Sequence, residues 1–193
     1  MGKVYDELNP ELQAWLSRQK VFFVATAPLS ADGHINCTPK GGDTFRIIGP
    51  REVAYLDLTG SGIETIAHMR ENGRIVIMFC AFSGPPKIVR LHGGGEVVLP
   101  DDAEYSKLTA LFPANPGARA IVRVRVSGIS DSCGFAVPLM KFRSDRTILD
   151  QWSEKKGPEG LAEYQRIRNR ESIDGLPGMH ERVAGAPAPP SPV

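Results

Sequence analysis

Residues 119–126 read Arg-Ala-Ile-Val-Arg-Val-Arg-Val, the most regular alternation in the chain. Successive side chains of an extended strand point to opposite faces, so the alanine and the three valines share one face. The three arginines and the isoleucine share the other. This period of two predicts a strand with one buried side and a solvated or subunit-contacting arginine side. The arginine side lacks the interleaved aromatic residues typical of a nucleic-acid track.

Outward from this strand, the chain carries further β-branched and aromatic runs that are separated by tight turns. Only one clear helix interrupts the strands in the first half of the chain. Strands joined by turns favour an antiparallel sheet, whereas regular alternation with helices would indicate a parallel one. We therefore expect a mainly β protein of the α+β class, an antiparallel barrel with helices packed outside. The predicted strands cover residues 21–26, 34–40, 44–48, 52–58, 75–82, 87–99 and 119–126, with a short last one over 137–142.

Start and stop signals mark the flanking helices. Asn9-Pro10-Glu11 combines a cap, a first-turn proline and a first-turn acid. Ser61 and Glu64 have the spacing of a capping box, and Gly73 is a stop signal for the helix that follows them. The predicted helices cover about residues 10–19, 61–72, 101–111 and 158–170.

The composition excludes several classes of function. Lys and Arg number 23 and Asp and Glu 22, which gives a formal net charge of +1 with neutral histidine. A polyanion binder carries a clear basic excess, so no nucleic-acid partner is expected. The longest uncharged apolar run, Ile75 to Phe82, is far shorter than the roughly 18 residues of a membrane span, so no membrane partner is expected. Residues 1–178 are expected to form one domain, and the proline-rich segment 179–193 a disordered tail.

The three cysteines, Cys37, Cys80 and Cys133, are widely spaced and lack any Cys-x-x-Cys pairing. Neither a disulfide framework nor a zinc site is predicted, and reduced thiols are typical of a cytoplasmic protein. A small buried thiol is favoured over a nucleophile at Cys133, because no histidine lies near it in sequence. The histidines are scattered, so no metal site is expected.

The segment from Asp57 to Thr65 reads Asp-Leu-Thr-Gly-Ser-Gly-Ile-Glu-Thr, a strand that enters a glycine-rich bend and then a helix. Such a helix start offers unpaired N–H groups and a partial positive charge to a phosphate, with the hydroxyls of Thr59, Ser61 and Thr65 beside it. The pattern matches neither the Walker A nor the dinucleotide fingerprint. A simply capped helix, with the glycines making the turn, is the alternative interpretation.

Two further segments carry groups that suit an anion or a flat ring. Lys40 ends a predicted strand beside Gly41 and would counter a phosphate or lie along a ring; a solvated turn lysine explains it equally well. Arg90 and His92 are two residues apart and so share one strand face. They would form an anion or ring-edge site, or simply a polar face toward solvent.

Taken in order, these stretches resemble the pyridoxamine 5′-phosphate oxidase-related flavoproteins, in a bacterial branch distinct from the vitamin-forming enzyme. The resemblance covers about residues 5 to 178. The strings that carry it are Phe23-Val24-Ala25-Thr26, Asp32-Gly33-His34-Ile35-Asn36, Thr38-Pro39-Lys40-Gly41, Asp43-Thr44-Phe45-Arg46, Ala54-Tyr55-Leu56-Asp57-Leu58-Thr59-Gly60-Ser61-Gly62, Glu64-Thr65-Ile66-Ala67-His68, Gly73-Arg74-Ile75, Met78-Phe79-Cys80-Ala81-Phe82, Asp131-Ser132-Cys133-Gly134 and Ser172-Ile173-Asp174-Gly175-Leu176-Pro177.

The resemblance implies a six-stranded antiparallel split β-barrel of the FMN-binding type, a homodimer that holds FMN at the subunit interface. It implies an oxidoreductase acting on a small molecule, with the chemistry on the flavin and no side chain named as catalytic. The Cys133 stretch would come from the partner subunit. The implied cofactor-binding residues are Thr38, Lys40, Gly41, Asp57, Thr59, Ser61, Gly62, Thr65, Arg90 and Cys133.

The chain departs from the vitamin-forming oxidase where that enzyme places cations on the phosphate. Its Arg-x-Val-Leu-Leu-Lys strand corresponds here to Asn36-Cys37-Thr38-Pro39-Lys40, and its Ser-Arg-Lys helix start to Ser61-Gly62-Ile63-Glu64. Fewer cations and an added carboxylate are expected to weaken FMN binding or to favour another cofactor. A deazaflavin-dependent reductase and a non-catalytic flavin- or haem-binding protein, with His68 or His92 as haem ligand, are the alternatives.

Overall fold

The computed structural model of the chain describes residues 2–179, so the predicted tail from residue 179 lies outside the described residues except for Met179. Within them the chain forms one eight-stranded sheet and four helices. In chain order these are β1 (Val4–Tyr5), α1 (Pro10–Leu16), β2 (Val21–Thr26), β3 (Asn36–Gly41), β4 (Phe45–Gly49), β5 (Glu52–Leu58), α2 (Glu64–Glu71), β6 (Arg74–Cys80), β7 (Ile88–Val98), α3 (Tyr105–Thr109), β8 (Ala118–Ser132) and α4 (Ile148–Arg168).

All strand pairings are antiparallel, in the order β3-β2-β6-β7-β8-β5-β4, with β1 added along β8. The two edge strands, β3 and β4, are consecutive in the chain and are joined only by residues 42–44. The sheet must therefore curl until its edges meet at one end. The ring of Phe22 on β2 lies 5.4 Å from that of Phe45 on β4, across the interior. The predicted split barrel is confirmed, with eight strands in place of the six that the resemblance implies.

The interior is filled from both halves of the sheet, and a helix closes each end. Leu12 and Leu16 of α1 join the main core cluster at the end where the rings of Phe22 and Phe79 lie. Met69 of α2 joins the same cluster at the other end, near Gly95. No helix within residues 2–179 is long and apolar enough to cross a membrane.

The alternation of β8 holds, but of the arginines on its second face, predicted to be solvated or to contact another subunit, Arg125 is exposed and Arg119 is buried. The valines of residues 122–126 are buried inside the barrel. On the opposite face Ile121 packs beneath α3 against Leu108 and Phe112. Arg119, on this same face, is only 5% exposed, so the solvated stripe was a wrong prediction at that position. Burial of an arginine requires partners, which the next subsection describes.

The start of α1 is as predicted, whereas those of α2 and α4 differ from the predictions. Asn9 caps α1 as expected, its side chain accepting the N–H of Leu12 at 2.9 Å. In contrast, α2 begins at Glu64 after Ile63 with no side-chain cap, so the predicted capping box does not form. The C-terminal helix starts ten residues earlier than predicted, and Gly157, at a φ of 66°, breaks it just before Pro158. The predicted helix corresponds to its second part.

The predicted strand over 137–142 does not form. Residues 133–147 have no regular structure. Near its end β8 already pairs with β7 on one edge and with β1 on the other, so it offers this segment no free edge. Met140 donates a single backbone hydrogen bond to the carbonyl of Phe82.

The run Gly93-Gly94-Gly95 in β7 begins at an irregularity of the sheet. The register between β7 and β8 shifts between His92 and Gly93. A Cβ on Gly93 would overlap the carbonyl oxygen of Arg125 on β8, so only glycine allows the two backbones to approach this closely.

Replacement of Gly93 by alanine is expected to lower the free energy of unfolding by about 1–3 kcal/mol, because β7 must move away from β8. Urea denaturation followed by circular dichroism measures this change. Gly128→Ala is the matched control, since a Cβ there meets only the Cβ of His92 at an ordinary 3.7 Å. Equal losses in both variants would contradict the close approach as the cause.

Candidate functional site

The candidate site is the turn of residues 59–63 between β5 and α2, which we call the 59–63 turn. The guanidinium of Arg119 donates from Nη1 to the carbonyl of Gly60 at 3.3 Å and from Nη2 to the carbonyl of Gly62 at 2.9 Å. All described peptide bonds are trans, so the N–H of each peptide points opposite to its carbonyl. The N–H groups of Ser61 and Ile63 therefore point away from Arg119.

These turned-out N–H groups have no acceptor within residues 2–179, and neither does that of Gly62. They stand at the positive end of α2, where the first N–H groups of the helix also lack intrahelical partners. Ser61 and Gly62 are exposed, so an anion can reach them from solvent. Free N–H groups and an exposed hydroxyl at a helix start are suited to bind a phosphate or a carboxylate.

A buried charge network holds the turn from below. The carboxylate of Asp57 on β5 is fully buried and accepts from Nζ of Lys40 at 2.7 Å and from Nε of Arg119 at 2.8 Å. Burial alone would raise the pKa of Asp57, but the two cations outweigh it and hold that pKa below its usual value. The carboxylate is thus ionised between two cations, and it fixes the direction of the Arg119 guanidinium.

The C-terminal helix supplies the second support of the turn. Gln165 donates from Nε2 to the hydroxyl of Thr59 at 2.8 Å. Asn169, just after α4, is fully buried; its Nδ2 donates to the carbonyl of Gly60 at 2.8 Å, and its Oδ1 accepts from Arg119 at 2.8 Å. Sequence reasoning missed Arg119, Gln165 and Asn169, because their partners lie far away along the chain.

A third group of polar side chains lies behind the first turn of α2. Asn36 donates from Nδ2 to the hydroxyls of Thr26 and Thr65, both at 3.0 Å. The Thr26 hydroxyl is also hydrogen-bonded to Nδ1 of His68 at 2.9 Å. His68 is fully buried, and its Nε2 has no partner within residues 2–179. Burial therefore lowers the pKa of His68, with nearby Glu71 opposing that shift.

The structure brings together only part of the predicted site. Lys40 and Asp57 are paired, and three predicted residues share the 59–63 turn: Thr59, Ser61 and Gly62. Thr59 and Thr65 are buried, with their hydroxyls engaged as described. Thr38 and Gly41 lie on β3, at registers opposite Val24 and Val21.

Arg90 and Cys133 lie away from the turn. Arg90 pairs in register with Met78 and Ser130, whereas Lys40 pairs with Phe22, whose side chain is in the barrel core. Adjacent registers alternate between faces, so Arg90 is on the outer face of the sheet and Lys40 on the inner one. Arg90 donates to the hydroxyl of Ser132 at 2.9 Å, beside the exposed Cys133. The prediction of a buried thiol at Cys133 is therefore wrong.

Comparison with known proteins identifies close sequence relatives. The family model described as pyridoxamine 5′-phosphate oxidase matches residues 8–133. A pyridoxamine 5′-phosphate oxidase family protein of Aspergillus flavus, ustO, is 39% identical over 196 residues. That alignment covers 93% of this chain and 78% of the fungal protein.

Solved structures show the same fold. HupZ of group A Streptococcus superposes with a TM-score of 0.52 at 21% identity, over 65% of this chain and 99% of that one. A candidate pyridoxamine 5′-phosphate oxidase of Lactobacillus delbrueckii gives a TM-score of 0.51 at 19% identity, over 66% of this chain and 98% of that one. At these identities the likenesses show the fold alone.

Within residues 2–179 no group of three or more His, Cys, Asp or Glu side chains is placed to hold a metal ion.

Asp57→Asn is expected to lower the free energy of unfolding by about 3–5 kcal/mol, since it leaves Lys40 and Arg119 without their buried counter-charge. Urea denaturation at neutral pH measures the loss. Asp101→Asn, at an exposed position, is the control and is expected to change stability by under about 0.5 kcal/mol. A loss no larger than that of the control would contradict the proposed role of Asp57.

The lowered pKa of His68 predicts a loss of stability in acid. As the pH falls below about 6.5, the pKa of histidine in the unfolded chain, His68 binds a proton in the unfolded state but not in the folded state. The free energy of unfolding therefore decreases. This decrease continues until the pH reaches the lowered folded-state pKa. His68→Gln removes that component of the slope between pH 6.5 and lower pH, as measured by urea denaturation at several pH values.

Proposed function

Because the chain belongs to the pyridoxamine 5′-phosphate oxidase family, we propose that it binds FMN and acts as a flavin-dependent oxidoreductase on a small molecule. The observation that carries this proposal is the 59–63 turn, whose N–H groups are turned outward by Arg119 and lack acceptors within residues 2–179. A flavin, when bound, accepts or donates a hydride equivalent at its ring. The protein's part is to bind and orient that group.

The residues of the turn fit a phosphate ester. The N–H groups of Ser61, Gly62 and Ile63 and the hydroxyl of Ser61 supply donors, and the dipole of α2 supplies partial positive charge. Arg119 takes part indirectly: its guanidinium is committed to the two glycine carbonyls and to Asp57, so it positions the donors and does not itself meet the phosphate.

The charges around the turn set a limit on phosphate affinity. Lys40 is paired with Asp57 and is not free to meet the phosphate; because Asp57 also pairs with Arg119, the buried network keeps a net charge of +1. The carboxylate of Glu64 bends back over the turn, with its Oε2 2.7 Å from the place a Cβ on Gly62 would occupy. A phosphate at the turn would lie near this negative charge. The proposed FMN binding is therefore weaker than that of a site in which free cations surround the phosphate.

We propose that the chain works as a homodimer, with a partner subunit completing the flavin site. The sheet formed by β3, β2, β6 and β7 turns a half-buried, largely apolar outer face away from the core, and Arg90 lies on it. A face of this composition is typical of a subunit interface. Its members are Val21, Phe23, Ala25, Val76, Met78 and Ile88.

The haem alternative has no support from the described histidines. His68 has no exposure to solvent, so a porphyrin has no open path to its unpartnered Nε2, and His34 is paired with Asp174 at 2.6 Å. His92 is exposed on β7, and it lines neither of the two cavities described within residues 2–179. We therefore propose the flavin, on which the turn and the family agree.

Titration of the purified protein with FMN and with riboflavin, followed by flavin fluorescence and absorption, tests the proposal. Ser61→Asp adds a negative charge at the turn and is expected to weaken FMN binding by about 1–3 kcal/mol. Glu64→Gln removes the resident carboxylate and is expected to strengthen it by about 0.3–1 kcal/mol. Ser61→Ala is the uncharged control and should have the smaller effect.

Riboflavin, which lacks the phosphate, should respond little to any of these variants. Equal effects on FMN and riboflavin would contradict phosphate binding at the turn. Failure of the folded wild-type protein to bind FMN would contradict the flavin itself, and binding of a deazaflavin in its place would assign the site to that cofactor.

A further inference from the structure

The carboxylate of Glu64, the first residue of α2, is an acceptor without a donor beside the 59–63 turn. Its Oε2 lies 2.7 Å from the place that a Cβ on Gly62 would occupy, so the side chain folds back over the turn. No side chain caps α2, and within residues 2–179 this carboxylate makes neither a hydrogen bond nor an ion pair. It is therefore available to a ligand at the turn.

The cations that face the turn from the neighbouring strands are committed to other groups. Lys40 on β3 donates to the buried Asp57 on β5. Arg119 on β8 donates to Asp57 and to the two glycine carbonyls inside the turn. The side chains that reach the turn from the C-terminal helix and the residue after it, Gln165 and Asn169, are uncharged. None of these groups is free to pair with the carboxylate of α2.

One turn further along α2, His68 is the titratable group that interacts with Glu64. Its burial lowers its pKa from the usual 6.5, whereas the charges of Glu71, Asp174 and Glu64 oppose that shift. Folded His68 is therefore neutral above pH 6.5, and ligand binding measured above this pH does not include its titration.

The exposed side of the turn thus combines free donors with a free acceptor. The donors are the N–H groups of Ser61, Gly62 and Ile63, and the acceptor is the carboxylate of Glu64. A dianionic phosphate monoester has acceptor oxygens only, so its second charge would meet the carboxylate without a hydrogen bond. A monoester that carries one proton offers acceptors to the N–H groups and an O–H to the carboxylate, and such charge-assisted hydrogen bonds are short and strong.

We propose that Glu64 makes the 59–63 turn select the singly protonated form of a phosphate monoester, so that FMN takes up one proton from solvent when it binds. The second pKa of such esters is about 6, so above pH 7 FMN is mainly a dianion in solution. The proton bonds to a phosphate oxygen and lies in a hydrogen bond to Glu64, and no other covalent bond forms or breaks. This inference rests on the proposed function, because it concerns the ester that the turn binds.

Fluorescence titration of the full chain with FMN between about pH 7 and 8.5, in buffers that contain EDTA, tests the proposal. The dissociation constant of the wild-type protein is expected to rise about tenfold per pH unit, the slope for uptake of one proton. In Glu64→Gln the amide donates to the dianion, so the constant should change by less than about twofold per unit. Glu11→Gln is the matched control and should keep the wild-type slope, because Glu11 is the first-turn acid of α1, at the other end of the barrel.

Isothermal titration calorimetry in buffers of different ionisation enthalpy counts the protons directly. At about pH 8 the wild-type protein and Glu11→Gln should take up about one proton per bound FMN, and Glu64→Gln almost none. Riboflavin, which lacks the phosphate, should bind without proton uptake in all three proteins. Circular dichroism checks that the three proteins are equally folded.

The proposal is overturned, with the proposed function left in place, if the wild-type protein binds FMN without proton uptake or if Glu64→Gln takes up as many protons as the wild type. It is also overturned if binding at about pH 8 requires Mg²⁺ instead of a proton. Absence of FMN binding at every pH rejects the proposed function, and this inference with it.

Discussion

The arrangement of the candidate site depends on one buried carboxylate. Asp57 has no exposure to solvent, and it meets the ammonium of Lys40 from one edge strand and the guanidinium of Arg119 from the centre of the sheet. An isolated buried charge is unfavourable by many kcal/mol, so this carboxylate requires both cations. Through Lys40 it links β3 to β5 across the split of the barrel, which no strand pairing among residues 2–179 closes. Through Arg119 it sets the peptide directions of the 59–63 turn.

The same network explains why two distant parts of the chain form one site. Arg119 directs the carbonyls of Gly60 and Gly62 inward, and Asn169 fixes both Arg119 and the Gly60 carbonyl from the end of α4. The donors of the turn are therefore held rigid before any ligand arrives, which reduces the ordering that binding requires. The helix that follows the barrel thus supports the proposed ligand site, although the segment before it has no regular structure.

Local patterns in the sequence were sufficient to predict most strands and the cap of α1. Alternation over residues 119–126 and the Asn9-Pro10 start depend only on neighbouring residues, and both are present in the structure. The start of α2 was mispredicted because Ser61 belongs to a turn held by Arg119, a residue 57 positions from Gly62. The predicted capping box does not form there, because the long-range hydrogen bond from Arg119 to the carbonyl of Gly62 holds the turn. The side-chain partners of Arg119, Asp57 and Asn169, lie 62 and 50 residues away along the chain, so a periodic pattern of residues cannot predict these contacts.

The free edge of β3 affects how copies of the chain can associate. A strand with one unpaired edge can form backbone hydrogen bonds with a strand of another molecule. Long, regular edges of this kind promote aggregation. β3 has six residues with Pro39 in its interior, so the edge lacks one of the N–H donors that a continuous ladder would need. The Lys40 side chain on the same strand points inward and donates to the carboxylate of Asp57. Growth of a continuous intermolecular sheet along β3 is thereby discouraged.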